Sequence, residues 1–215
     1  MRHKNTLELY RYWNGLRAGK SAPLRSQVAP AALANILPAV MLLESTTDGD
    51  AVFRVAGTRV CAIPGRELRG DPLSGMFDEA DRKTVRSFIR SVERDHSVAL
   101  LDALGAGASG RTVTFELAFF PLAGSDTNLI GICNPLSLPI WLGAERISLA
   151  LRGVRTIDPE ADLVFLQNRP SIPVKRSRLA VGAAPAPSLS VIAGEGERRH
   201  NRPLHGFRVY DGGKK

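Results

Sequence analysis

The chain has 215 residues, 44% of them hydrophobic and 23% charged, a composition that excludes a wholly disordered protein. The length suits one large domain or a smaller domain with a long extension. The net charge of +8 lies at the ends, with 6 Lys/Arg against 1 Asp/Glu over residues 1–25, 12 against 6 over 152–215, and 11 against 14 between them. The excess positive charge therefore lies in the two terminal segments, on either side of a near-neutral central region.

The N-terminal residues predict an amphipathic helix. Asn5 followed by Glu8 has the spacing of a capping box, and Gly19 is expected to end the helix. Four apolar side chains recur at helical spacing: Leu9, Tyr12, Trp13 and Leu16. Such a stripe covers either the sheet of its own chain or that of a second subunit, so these four residues are candidate dimer or partner contacts.

The remaining elements follow from periodicity and turn residues. In chain order they are a short helix over 30–37, strands over 41–44 and 52–55 joined by an Asp-Gly turn, short helical turns within 58–77, a long amphipathic helix over 78–95, and strands over 97–104, 111–119 and 128–134. Asp78 is the expected N-cap of the long helix. Because helices and strands are segregated along the chain, the pattern predicts an α+β fold with an antiparallel sheet and helices on one face.

Four sequence motifs carry a family resemblance. They are Y-W-N-G-L-R-A-G-K at 12–20, P-L-R at 23–25, I-L-P at 36–38 and F-R-V-A-G-T-R-V-C-A-I-P-G-R-E-L-R-G at 53–70. They resemble the PAS domain, and more narrowly a single-PAS family common in alphaproteobacteria. The resemblance covers about residues 10–139, with a weaker echo at 206–213. It implies a five-stranded antiparallel sheet and a sensory role in which a small ligand or a partner binds between sheet and helices.

The resemblance also implies a candidate pocket between the sheet and the helices. Its apolar candidates are Phe53, Val55, Val60, Phe88, Val92, Phe115, Leu117 and Phe119. The same residues equally make an ordinary core, so an empty core and a ligand cavity are both open. Arg59 and Arg66 lie nearest the expected mouth, where they hold an anionic ligand group or sit in solvent. No cofactor is assigned by the sequence.

Glycines at 105, 107 and 110 match the G-x-G-x-x-G string of dinucleotide-binding proteins. That function requires a helix to begin at the string, so that its N-terminal amides meet the pyrophosphate. The next residues, R-T-V-T-F-E-L, alternate as a strand does, and we therefore predict a hairpin. The sequence contains neither a known catalytic motif nor a carboxylate pair, so no enzyme is predicted.

Two cysteines and one histidine could have a chemical role. Cys61 and Cys133 lie among apolar neighbours and are expected to be buried thiols, the alternative being redox sensing. His96 follows the long helix and is expected to interact with the dipole at its C-terminal end. The alternative for His96 is a pH-sensitive or haem-ligating residue in the pocket.

Neither a membrane span nor a secretion signal is predicted. The longest apolar stretch, 28–43, is interrupted by prolines and is shorter than the ~20 residues that a spanning helix needs. Residues 1–11 lack the apolar run and the cleavage site of a signal peptide. With no cysteine pairing motif, the chain is expected to be cytoplasmic.

The chain divides into three predicted parts: an N-terminal helix and connector over 1–25, a PAS-like domain over 26–140 and a basic extension over 141–215. Within the extension, 147–151 and 161–167 could add a strand or short helix. Beyond residue 169 the content of Gly, Pro, Ser and Arg indicates a partly disordered linker.

Basic clusters in the extension raise a nucleic-acid alternative. Residues 175–178 and 198–202 offer phosphate contacts, but they carry no aromatic residues for base stacking, so only weak, nonspecific affinity for nucleic acid is expected. The leading prediction is a non-catalytic PAS sensor that acts through a small ligand and a homodimer or signalling partner. The alternative is a basic-tailed regulator associated with nucleic acid.

Overall fold

A seven-stranded antiparallel sheet organises the protein. The computed structural model describes residues 1–159 and 172–174, so the segments predicted at 161–167, 175–178, 198–202 and 206–213 lie outside the described residues. The strands in chain order are β1 Val40–Ser45, β2 Ala51–Ala56, β3 Val98–Gly107, β4 Thr112–Pro121, β5 Leu129–Pro135, β6 Ile147–Ile157 and β7 Ile172–Pro173. Their order across the sheet is β2-β1-β5-β4-β3-β6-β7.

The predicted α+β fold is confirmed, but the predicted count of five strands is wrong. The resemblance ends near residue 139, whereas β6 pairs with β3 from Val98↔Ile157 to Gly107↔Ile147, and β7 pairs with β6. Pairing with β6 also allows β3 to be buried on both faces. The sheet therefore continues beyond the region of resemblance.

Helices and short 3-10 turns flank the sheet. The α-helices are α1 Lys4–Arg17, α2 Thr58–Ala62 and α3 Glu79–Asp95, and the 3-10 turns are Arg25–Gln27, Pro30–Leu33, Leu37–Ala39 and Leu73–Met76. The prediction of one helix over 30–37 is wrong. Two short 3-10 turns lie here instead, at Pro30–Leu33 and Leu37–Ala39. No helix within the described ranges is long and apolar enough to cross a membrane.

The prediction is confirmed for the residue that begins α3 and wrong for the residue that caps α1. Asp78 is the N-cap residue of α3, as expected, although its side chain accepts from the Ser148 hydroxyl at 2.6 Å. Asn5 is not the cap of α1. The N-cap is His3, whose Nδ1 accepts from the backbone N–H of Asn5 at 3.2 Å. The Asn5 side chain is instead buried and donates to Asn134 Oδ1 at 3.3 Å.

The sheet separates two apolar cores. We call the face covered by α2 and α3 the helix-side face, and the face covered by α1 the outer face. Alternation along the strands divides the side chains, so that Leu117 and Phe119 of β4 belong to the helix-side core and Ala118 and Phe120 to the outer core. Both faces of the sheet are therefore covered, as expected for its largely apolar central strands.

A buried carboxylate secures the N-terminal end of α1 on the outer face. Glu116 of β4 is fully buried and accepts hydrogen bonds from the backbone N–H groups of Arg2 at 2.6 Å and His3 at 3.1 Å. The Arg155 guanidinium of β6 lies 3.6 Å from the same carboxylate. A buried charge needs such partners, because an unpaired one is strongly destabilising.

The glycine string lies in a hairpin, as predicted. β3 ends at Gly107 and β4 begins at Thr112, with the Gly107 N–H bonded to Arg111 O at 3.0 Å. Gly110, at φ +79°, supplies the left-handed turn conformation. No helix begins here in the described chain, so the dinucleotide alternative loses the structural element on which it depends.

Candidate functional site: two apolar cavities on opposite faces of the sheet

A small cavity opens on the helix-side face. The helix-side cavity has a volume of about 210 Å³ and is lined by α2, β4, β5 and the loop that follows β5. Phe115 and Cys133 line it from the strands, and each is only 1% exposed. Ala62 and Ile63 contribute from the end of α2. The cavity therefore joins buried core to the surface.

Arg59 of α2 supplies the positive charge of the helix-side cavity. It is the only charged residue among the described residues that line this cavity, and its side chain is exposed. Within residues 1–159 and 172–174, Arg59 forms no ion pair with a carboxylate. An apolar cavity with one such cation suits a small ligand with an anionic end.

The thiol of Cys133, which lines the helix-side cavity, has low reactivity. Burial raises the pKa of Cys133 far above its ordinary value, so the sulfur stays protonated and is a poor nucleophile. Burial also raises the pKa of Cys61, a half-buried residue whose Sγ lies 3.6 Å from Glu67 Oε1. No group of three His, Cys, Asp or Glu side chains forms a candidate metal site in the described part of the chain.

The structure brings two of the predicted pocket residues, Arg59 and Phe115, into the lining of the helix-side cavity. Five others are buried in the helix-side core: Phe53, Val60, Val92, Leu117 and Phe119. Phe88 is half-buried against that core. Arg66 is exposed and forms an ion pair with Asp71. His96 is exposed at the C-cap of α3, a position outside the pocket.

Val55 departs from the expectation that it faces the interior. The pairing of β1 with β2 runs from Leu42↔Val55 to Leu43↔Phe53, which leaves Arg54 as an extra residue. Such a bulge reverses the alternation of side chains. Phe53 consequently packs in the helix-side core, whereas Val55 lies on the outer face with 52% of its surface exposed.

The loop after β5 was missed as part of the cavity. Leu138, Pro139, Leu142 and Gly143 line its rim, and Leu138 remains 73% exposed. The available signal was the sequence L-S-L-P-I-W-L, which is unusually apolar for a connecting loop. Periodicity cannot place such a segment, because it forms neither a strand nor a helix.

A larger groove lies on the outer face. The outer groove has a volume of about 510 Å³ and is lined by the connector between α1 and β1, by the outer surface of β1 and β2, and by Ile130 of β5. Val55 contributes to this lining. Arg25 is the only charged residue among the described residues that line the groove. The two cavities share no lining residue, and they come nearest in sequence at the start of α2, where Thr58 lines the groove and Arg59 lines the helix-side cavity.

The candidate dimer contacts lie on α1, which covers the outer face of its own sheet. Leu9 and Trp13 are at most 1% exposed, and Tyr12 and Leu16 pack beside them at the edge of the outer core. The Tyr12 hydroxyl accepts a hydrogen bond from the N–H of Ala29 at 2.8 Å. In the structure, α1 therefore covers the sheet of its own chain, and homodimerisation stays a prediction.

Comparison with protein families gives a match to the PAS domain over residues 1–133. The matched region contains α1, both walls of the outer groove and half of the residues that line the helix-side cavity, and it ends in β5. No curated protein and no solved structure matches the chain.

Proposed function

Because the chain belongs to the PAS domain family, whose modules are sensory or regulatory, we propose that it senses a small anionic ligand in the helix-side cavity and acts without catalysis. The observation that carries this proposal is the position of Arg59, a cation without a carboxylate partner among the described residues, beside a cavity with buried apolar walls. Ligand sites are typically concave and apolar, with a few polar groups that orient the ligand.

The size of the cavity limits the ligand. Its volume of about 210 Å³ is below the ~300–1,000 Å³ of sites for drug-sized molecules. A short alkyl or single-ring carboxylate fits this description, with its apolar part against Phe115 and its carboxylate at Arg59. Charge-assisted hydrogen bonds to a guanidinium are stronger than neutral ones, which favours the anion over an alcohol of the same shape.

The state of the cavity thiol argues against nucleophilic catalysis by Cys133, in keeping with the proposed lack of catalysis. A nucleophilic cysteine needs a lowered pKa, whereas burial raises the pKa of Cys133.

We also place the module in the cytoplasm, since Cys61 and Cys133 are both free thiols. The proposed sensor would pass its signal on by binding a second copy of the chain or a signalling partner. Light scattering of the full chain at micromolar concentration tests the homodimer, and a monomer excludes it.

Native mass spectrometry of the purified full chain is the first experiment, because it detects a retained small molecule directly. Thermal melting then uses hexanoate and benzoate as probes, with hexanol and benzyl alcohol as neutral controls. A ligand that binds only the folded state stabilises it by about 2.7 kcal/mol at 100 times its Kd. We expect the carboxylates to raise the Tm more than the alcohols do.

Three variants locate the effect. Arg59→Gln should weaken carboxylate binding about tenfold and leave the alcohols unchanged, whereas Arg69→Gln, at an exposed arginine outside the cavity lining, should change neither. Ala62→Phe, at an exposed cavity position, should block both probes. The proposal is overturned if no adduct or Tm shift is observed, or if Arg59→Gln and Arg69→Gln behave alike.

A further inference from the structure

The outer groove and the helix-side cavity are lined by different residues. We propose that it binds a free single-chain anionic amphiphile of the long-chain carboxylate class. The alkyl chain would lie along the apolar groove and the carboxylate would meet Arg25. This proposal does not depend on the function assigned to the helix-side cavity, because the two sites share no lining residue.

The dimensions and surface of the groove suit an alkyl chain. Its volume of about 510 Å³ lies within the ~300–1,000 Å³ of known ligand sites. Leu37 and Val55 line it and leave 42% and 52% of their surfaces exposed. Exposed apolar side chains gathered in one concave surface mark an interaction site more often than scattered ones do. The bulge at Arg54 contributes directly, because it turns Val55 towards the groove.

The walls of the groove are held in place without a ligand. Leu33 and Ile36 of the connector are at most 2% exposed and anchor it in the outer core. The N–H of Gly57 donates to Val40 O at 2.8 Å, and a Cβ at this position would collide with the carbonyl oxygen of Pro38. The connector and the start of α2 therefore touch through backbone atoms. A preformed groove binds without the cost of ordering its walls.

Arg25 provides charge complementarity for a carboxylate. Its side chain is half-buried and lines the groove, and within the described ranges no ion pair engages it. Its backbone is fixed, because the Arg25 N–H donates to Ala123 O at 2.8 Å. A guanidinium beside an apolar surface favours an amphiphile whose head is anionic.

The lining favours an alkyl chain over a peptide or a second copy. An extended peptide brings a donor and an acceptor with each residue, and these need partners when they are buried. Arg25 and Thr58 are the only polar side chains among the described lining residues, whereas an alkyl chain needs no hydrogen bonds. A stable protein interface covers about 800 Å² on each partner, which is far more than this groove offers.

Isothermal titration of the full chain with octanoate, decanoate and dodecanoate below their micelle concentrations tests the proposal. Each methylene that enters the groove should tighten binding up to about fourfold, until the groove is filled. Arg25→Gln should weaken the carboxylates about tenfold and leave alcohols of equal length unchanged. Arg59→Gln should not affect this series, which separates the site from the helix-side cavity.

Two blocking variants act from opposite walls. Ala34→Trp fills the groove from the connector, and its matched control Ala31→Trp adds the same side chain at an exposed position of the preceding 3-10 turn, outside the lining. Val55→Gln makes the wall on β2 polar at a position already exposed, so it tests the groove even if Ala34→Trp fails to fold. We expect the blocking variants to lose dodecanoate binding at least tenfold and the control to retain it. Affinity independent of chain length, unchanged binding in Val55→Gln, or binding to anionic vesicles alone would overturn the proposal.

Discussion

The indole Nε1 of Trp13 donates a hydrogen bond to the backbone carbonyl oxygen of Pro121 at 2.7 Å. This bond connects α1 to the end of β4, which lies 108 positions further along the chain. The Trp13 ring also packs 5.7 Å from the ring of Phe120, measured between centroids. Because Trp13 is only 1% exposed, α1 is an integral layer of the domain.

Replacing Trp13 should therefore destabilise the whole domain. Trp13→Phe leaves the Pro121 carbonyl without its partner, and we expect a loss of about 1–3 kcal/mol in the free energy of unfolding. Trp13→Ala should cost about 3–5 kcal/mol, because it also creates a cavity. Urea denaturation of the full chain measures both. Arg11→Ala, an exposed position on the same helix, should stay within about 0.5 kcal/mol, and an unchanged Trp13→Phe would contradict the role of the bond.

The His3 cap predicts a pH dependence of stability. Burial lowers the pKa of His3, and its Nδ1 accepts from the Asn5 N–H only when the ring is neutral. The folded state binds the proton less readily than the unfolded state, so the cap is intact above pH ~6.5 and is lost as the pH falls through the lower folded-state pKa. We expect a loss of about 1 kcal/mol or less at acidic pH.

The matched variant for this prediction is His3→Ser, which retains a capping side chain but cannot titrate. Urea denaturation between pH 5 and 7.5 should show a smaller pH dependence for His3→Ser than for the unmodified chain. Identical pH profiles would show that the His3 cap does not couple to protonation.

A buried hydrogen bond joins α3 to the strand that the resemblance did not include. Asp81 is 3% exposed and accepts from the N–H of Leu151 in β6 at 2.8 Å. Asp81→Ala should cost about 1–3 kcal/mol, since the buried N–H loses its acceptor, and exchange of the Leu151 amide should become faster. Glu79→Ala, at an exposed position in the same turn, is the control for the helix dipole. Equal effects of the two variants would contradict a specific link between α3 and β6.

The two thiols should differ in reactivity towards a disulfide reagent. Cys133 is 1% exposed and its pKa is strongly raised by burial, so we expect no labelling in the folded chain. Half-buried Cys61 should react slowly, because its pKa is also raised, and the rate should increase up to about tenfold per pH unit between pH 7 and 8.

Thiol counting by mass spectrometry, with a urea-unfolded sample as control, distinguishes the two sites. The unfolded chain should label at both cysteines and the folded chain at Cys61 only. Rapid labelling of Cys133 in the folded chain would show that the helix-side cavity admits reagents to its floor. That outcome would also contradict the low reactivity assigned to the Cys133 thiol.

The candidate sites were only partly visible in the sequence. Arg59 and Phe115 could be placed because they lie in regular elements of the resemblance. The rim residue Leu138 could not, because its loop has no period and its position depends on where β5 and β6 run. Val55 was assigned to the wrong face, since one extra residue at Arg54 reverses the alternation without leaving a mark in the local sequence.

The sequence alone determined the fold class, the hairpin at the glycine string and the long helix α3, because each depends on local periodicity and turn chemistry. It also located the basic charge in the terminal segments. Tertiary structure alone decided that His3 caps α1, that β6 widens the sheet, and that an apolar groove lies beside Arg25. These features depend on contacts between residues far apart in the chain, such as the bond between Trp13 and Pro121, and local patterns carry no record of such contacts.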